Sequence, residues 1–201
     1  MNKIKNVENY LKNLLFSGEI TIEELENLSV RLRDELKQPK KKNASSFSEV
    51  EVGWYAFAGG KFSPDSDAYP NCQGVVGWVN PDKNAPEGQR GLIITPDEVE
   101  MMWSDKYYET NIKDEYDGKG NTEKLIAYGK KCKINFPAAE WCAAYCKNGV
   151  RPGEGFMPAK EQLKRIVANR MIVNPALQKI NGVELSGWIW SSSEYAYDRA
   201  W

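Results

Sequence analysis

Apolar residues recur along the chain with two different periods, and the change falls near residue 50. Over 2–16 Ile4, Val7, Leu11, Leu14 and Leu15 fall on one face of a helix. Ser17-Gly18 interrupts it. Thr21 with Glu24 makes a capping box, and Leu25, Leu28, Leu32 and Leu36 carry a second stripe to about Lys37. The pattern predicts a helical hairpin over 1–37. Alone it would bury little, so it is expected to pack on the rest of the chain, on a copy of itself or on another protein. Residues 38–49, with a run of Lys and several Ser, read as a linker.

From residue 50 the pattern shortens. Val52, Trp54, Tyr55 and Phe57 read as a strand before a turn at Gly59-Gly60, and 74–79 and 91–94 as two buried strands separated by a loop over 81–88. Thr95-Pro96-Asp97-Glu98 has the marks of a helix start: a capping Thr, a Pro in the first turn and a closing Glu. Residues 105–121 read as polar and irregular. Pro137 is expected to open a helix through Trp141, Cys142 and Tyr145 to near Gly149, and 150–157 to form a loop. A helix is expected over 159–169 with Leu163, Ile166 and Val167 inward, and another from Asn174-Pro175 to Gly182. The last stretch, GWIWSSSEYAYDRAW, alternates as a strand would. Short strands, few long helices and long loops predict an α+β domain over 50–201.

Composition narrows the chemistry. The chain has 201 residues, a formal net charge of -1 and no His. The charge supplies no field toward nucleic acid or an acidic membrane. The missing His removes the usual general base, triad partner and metal ligand. No P-loop, no G-x-G-x-x-G after a strand and no G-x-S-x-G elbow is present. Glu154 and Glu161 would suit glycosidase chemistry only at a defined separation, which spacing does not supply. Cys72, Cys132, Cys142 and Cys146 lack the C-x2-C spacing of zinc knuckles and read as thiols. Asp114, Asp117 and Asn121 invite a calcium reading, but Lys113 and Lys124 stand where an EF-hand needs carboxylates, so a turn at Asp117-Gly118 is expected. The first twenty residues lack the apolar run of a signal peptide, which implies cytoplasmic synthesis, with display on a virion or surface assembly left open. No segment reaches the length of a membrane span, so no membrane insertion is expected.

Three stretches occur in order: Pro137-Ala138-Ala139-Glu140-Trp141-Cys142; Phe156-Met157-Pro158-Ala159-Lys160-Glu161-Gln162-Leu163; and Gly187-Trp188-Ile189-Trp190-Ser191-Ser192-Ser193-Glu194-Tyr195, with Ala200-Trp201 beyond. Together they resemble the C-type-lectin-like domains of the formylglycine-generating-enzyme-like branch. Two groups share the pattern: variable proteins of diversity-generating retroelements, and bacterial surface and fimbrial-associated domains. The resemblance implies a C-type-lectin-like fold and a non-enzymatic binding or display protein whose C-terminal segment forms the binding face. A protein or a surface glycan would be the ligand, with no cofactor. It leaves two alternatives: a structural or adhesive subunit of a phage tail or cell-surface appendage, and a metal-dependent oxidase using Cys142 and Cys146. Relatives continue past the Ala-Trp pair with a strand or two, so a C-terminal truncation is an expectation. The calcium motifs of sugar-binding lectins are absent, Asn80-Pro81-Asp82 being only a partial likeness.

The ligand-binding candidates are Trp188, Trp190, Ser192, Glu194, Tyr195, Tyr197, Asp198 and Arg199. Tyr and Arg offer the contact area and directed polar groups typical of paratopes. Strand alternation puts Trp188 and Trp190 on one side, expected to be the core, with Ile189, Ser191 and Ser193 outward. The serines are expected to form a bend held by side chain–backbone bonds.

Overall fold

The turn anticipated at Gly59-Gly60 is present, and it closes a hairpin. β1 (Tyr55–Phe57) and β2 (Lys61–Ser63) pair antiparallel, Tyr55 opposite Ser63 and Phe57 opposite Lys61. Both turn glycines have positive φ, +79° and +69°, where a side chain would be strained. The computed structural model of the protein describes residues 15, 17, 21–24, 47–86, 88–196 and 199–200. β3 (Cys72–Val79) and β4 (Gly91–Ile94) extend the hairpin to an antiparallel sheet in the order β2-β1-β3-β4. Gly74 is required by close approach, because a Cβ there would fall on the Ile94 carbonyl.

Alternation along the sheet loads both faces. Trp54, Ala56, Phe62 and Val76 pack on one side with Val50. Tyr55, Phe57 and Val75 point to the other and meet Val173, Ala176 and Leu177. Those last three lie on α4 (Arg170–Lys179), which follows α3 (Lys160–Ala168) after the single residue Asn169. The Asn169 amide donates to the Gly77 carbonyl at 2.9 Å and so ties the helix junction to β3.

A second core lies around α1 (Gly118–Cys132) and α2 (Pro137–Ala144), where Leu125, Phe136, Ala139 and Met157 gather with Trp103 and Ile112. Asp117 caps α1 by accepting from Gly120 N at 2.8 Å, and Lys133 closes it in the left-handed region. Pro137 stands in the first turn of α2, where its missing N–H leaves no bond unmade. The architecture among the described residues is α+β.

Several expectations need correction. No helix starts at Thr95. The Pro96 carbonyl accepts from Val183 N at 2.9 Å, and the Asp97 carboxylate is held by Tyr145 and Lys147, so long-range bonds replace the local ladder. α1 was not foreseen, and Asp117-Gly118 is its entry rather than an isolated turn. α2 stops at Ala144 rather than near Gly149. α4 begins at Arg170, with Pro175 inside it. Asn174 is not its cap; it grips the returning chain, its Oδ1 accepting from Leu185 N at 3.0 Å.

The chain divides into two units, residues 1–41 and 42–201. In the first, the capping box is formed: Thr21 N donates to the Glu24 carboxylate at 2.8 Å, and Glu24 N to Thr21 Oγ1 at 3.2 Å. Apart from 21–24, Leu15 is helical and Ser17 lies in a turn; the remaining residues of the predicted hairpin lie outside the described ones. In the second, Phe47–Glu49 form a 3-10 turn, and the Phe47 ring sits 4.7 Å from that of Phe62. Residue 47 therefore already contacts the domain that follows the predicted linker. No helix among the described residues is long and apolar enough to cross a membrane.

Candidate functional site

The C-terminal segment turns the expected facing around. Residues 188–190 form no strand, so nothing imposes alternation on them. Trp188 is fully exposed, at 103% relative accessibility, and Trp190 is 42% exposed. The indole N–H of Trp190 donates to the Met101 carbonyl at 2.9 Å, which fixes the ring at the surface. Ser191 and Ser193, expected outward, are buried, and so are Ser192 and Glu194. The reason is the chain opposite. Residues 101–114 run without regular structure, so their backbone groups have no strand ladder and take polar partners from elsewhere, those of 191–194 among them.

Each residue of 191–194 has its own anchor. The Trp103 indole N–H donates to the Ser191 carbonyl at 3.0 Å. Ser191 Oγ accepts from Ser193 N and donates to the Ser193 carbonyl, both at 3.3 Å, the side chain–backbone bend anticipated for this run. Ser192 N donates to the Pro158 carbonyl at 2.8 Å. Ser193 Oγ donates to the Asp114 carbonyl at 2.6 Å and accepts from Lys160 N, the first residue of α3, at 3.0 Å.

Glu194 completes the clamp. Its carboxylate accepts from Thr110 N at 2.8 Å and from Asn111 N at 2.7 Å, while its own N–H donates to the Ile112 carbonyl at 3.0 Å. Two backbone donors on one buried carboxylate form charge-assisted bonds that fix both strands of chain. Burial and these bonds take Ser192 and Glu194 out of an exposed binding face. Beyond them, β5 (Glu194–Ala196) pairs with β6 (Arg199–Ala200). Tyr195 is 55% exposed. Arg199 is placed in β6 without a described side chain, and Tyr197 and Asp198 lie outside the described residues. The candidates that the structure brings to the surface are thus Trp188, Trp190 and Tyr195.

A cleft of about 550 Å³ adjoins this segment, with Ile189 in its wall. Its other walls come from β4, residues 95–98, the end of α2, residues 150–158 and α3. At one side Tyr145 Oη donates to Asp97 at 2.5 Å and Lys147 Nζ at 2.8 Å. These bonds hold the Asp97 carboxyl below its usual range, with Lys147 the larger cause. Burial first, then Asp97, holds the Tyr145 phenol protonated well above its usual range. Sequence offered no signal for this trio, in which Asp97 lies 48 and 50 positions from its two partners.

The chemical candidates have structural partners. Burial pushes the Cys142 thiol up to about 11, so it carries its proton at neutral pH. Asp114 is lowered by accepting from Tyr116 N and Asp117 N, and Asp117 caps α1. Asn121, on the buried face of α1, donates to the Asp114 carbonyl and to Ser192 Oγ, while its Oδ1 has no partner. Glu154 and Glu161 are lowered by Arg151 and Lys164 respectively, the direction opposite to that of a glycosidic acid. Among the described residues no three His, Cys, Asp or Glu side chains gather to hold a metal ion. No family model, no curated protein and no solved structure matches this chain.

Proposed function

We propose that the protein is a non-enzymatic ligand-binding or display protein, and that residues 50–201 form a C-type-lectin-like domain of the kind found in the variable proteins of diversity-generating retroelements. One observation carries this reading. A buried segment bonded to its surroundings at every residue, 191–194, is flanked on both sides by exposed aromatics, Trp188, Trp190 and Tyr195. Display needs that division: a backbone held by buried polar bonds, and neighbouring side chains exposed to a partner. Large rings at the surface also give contact area at low conformational cost. The ligand class is a protein or a surface glycan.

The test is direct binding. The full chain and a Trp188→Ala/Trp190→Ala/Tyr195→Ala variant are applied to a glycan array and to immobilised bacterial surface proteins. The reading expects saturable binding that the variant loses while its far-ultraviolet circular dichroism stays unchanged. Binding to nothing on either panel, or binding that the variant retains in full, overturns it. The retroelement part has its own check. A second, imperfect copy of the codons for residues 186–201 beside a reverse-transcriptase gene supports it, with differences concentrated at 188, 190 and 195 and absent from 191–194.

A further inference from the structure

The cleft beside Ile189 has a chemistry of its own, independent of the C-type-lectin reading. Its volume of about 550 Å³ is that of a small-molecule pocket. Its walls are apolar: Leu163 and Ile166 from α3, Val183, Leu185 and Ile189 from the chain that follows α4, and the ring of Phe156. Trp141 adds a second aromatic face, edge-on to Tyr145 with ring centroids 5.6 Å apart. An apolar body of modest size would displace poorly bonded water from these surfaces.

The charged groups in the lining are unbalanced. Asp97, Glu98, Asp117 and Glu154 stand against Lys119. Three of the four carboxylates are already engaged. Asp97 is bonded to Tyr145 and Lys147, Glu154 to Arg151, and Asp117 to Gly120 N. Glu98 has no hydrogen bond or ion pair among the described residues. With Asp97 paired to Lys147, Glu154 to Arg151 and Asp117 capping α1, Glu98 is the lining carboxylate left to repel an anion or receive a cation. A cation would gain Glu98 as counter-ion, in a lining that also holds the Trp141 ring.

We propose that this cleft binds a small organic cation, an amine carried on an apolar body, with Glu98 receiving the ammonium and the α3 and 183–189 walls receiving the apolar part. Trp188, Trp190 and Tyr195 do not line the cleft, and the proposal stands or falls without them.

The test uses the full chain, labelled with nitrogen-15, and three probes of one length: n-hexylammonium, hexan-1-ol and hexanoate. The readout is the set of tryptophan indole N–H signals, with that of Trp141 assigned from a Trp141→Phe variant. Hexylammonium is expected to shift the Trp141 signal saturably. Hexanol should bind about fivefold more weakly, the order of one exposed ion pair, and hexanoate more weakly still. Glu98→Gln should bring hexylammonium down to the affinity of hexanol and leave hexanol unchanged. Glu98 is exposed, so the fold is not at risk from that change. The proposal is overturned if no probe gives a saturable shift, if hexanoate or hexanol binds as tightly as the amine, or if Glu98→Gln leaves amine binding unaltered.

Discussion

Around β1, β3 and α4 the interior is apolar, with Phe57, Val75, Val173 and Leu177 packed without solvent contact. Around residues 191–194 the interior is polar, and three serines and a glutamate are buried as deeply. The first region is held by removal of apolar surface from water, a force with no preferred direction. The second is held by bonds that require particular donors at particular distances. An apolar core accepts small shifts of its parts, whereas a polar one fixes where the backbone runs. The polar core lies where residues 101–114 have no regular structure to position them. It therefore does for this loop what a ladder of strand bonds does for the sheet.

That contrast can be broken by substitution. Phe57→Ala should cost the most, about 3–5 kcal/mol, for the lost transfer energy and the cavity left behind. Chemical denaturation measures it, and a loss under about 1 kcal/mol would mean that the sheet core is not what holds the domain. Glu194→Ala should cost about 2–3 kcal/mol, because the buried Thr110 N–H and the partly buried Asn111 N–H lose their acceptor. Its signature is local: amide exchange should quicken at Thr110 and Asn111 before the rest of the domain. In Phe57→Ala those two amides should change only with global unfolding. If Glu194→Ala exchanges uniformly, the clamp is not a separate unit.

Ser193→Ala should cost about 1 kcal/mol, for the bonds to the Asp114 carbonyl and from Lys160 N. Asp97→Asn probes a third kind of contact, the partly exposed link between residue 97 and the end of α2. The folded Asp97 carboxyl lies below its unfolded value. Its contribution is therefore complete above the unfolded value and is lost as pH falls through the folded one. Melting curves should show the Asp97→Asn variant less stable than the parent at pH 7, with the gap closing toward pH 2. A gap that persists in acid would assign the loss to packing. Trp188→Ala should change stability least, by under about 0.5 kcal/mol, since the ring is fully exposed. A larger effect in thermal melts would mean that Trp188 is structural.

Local pattern carried much of the sheet. The Gly59-Gly60 turn, the apolar run around Val75-Val76 and the loop before Gly91 are legible because turn chemistry and alternation are short-range. α3 was also legible, from apolar residues at helical spacing. α1 was missed because two glycines and an asparagine in its first turns mask a sound signal: Asp117 as cap, Leu125, Tyr128 and Cys132 at helical intervals, and Lys130-Lys131 in the last turn. The candidate site fared worse. Alternation read over 188–195 put the tryptophans inside, but alternation constrains facing only where a partner strand exists, and 188–190 has none.

What the sequence by itself determined was where the chain turns, as at Gly59-Gly60, and which short runs are apolar enough to be strands or helix faces. These depend on neighbours a few positions away. Only the tertiary structure decided that Thr95 opens no helix, that Glu194 faces inward and that Trp188 faces out. The first two depend on a group far along the chain: Val183 N for the Pro96 carbonyl, and Thr110 and Asn111 for Glu194. A buried polar group goes where its partner is, and the partner's place is a property of the whole fold.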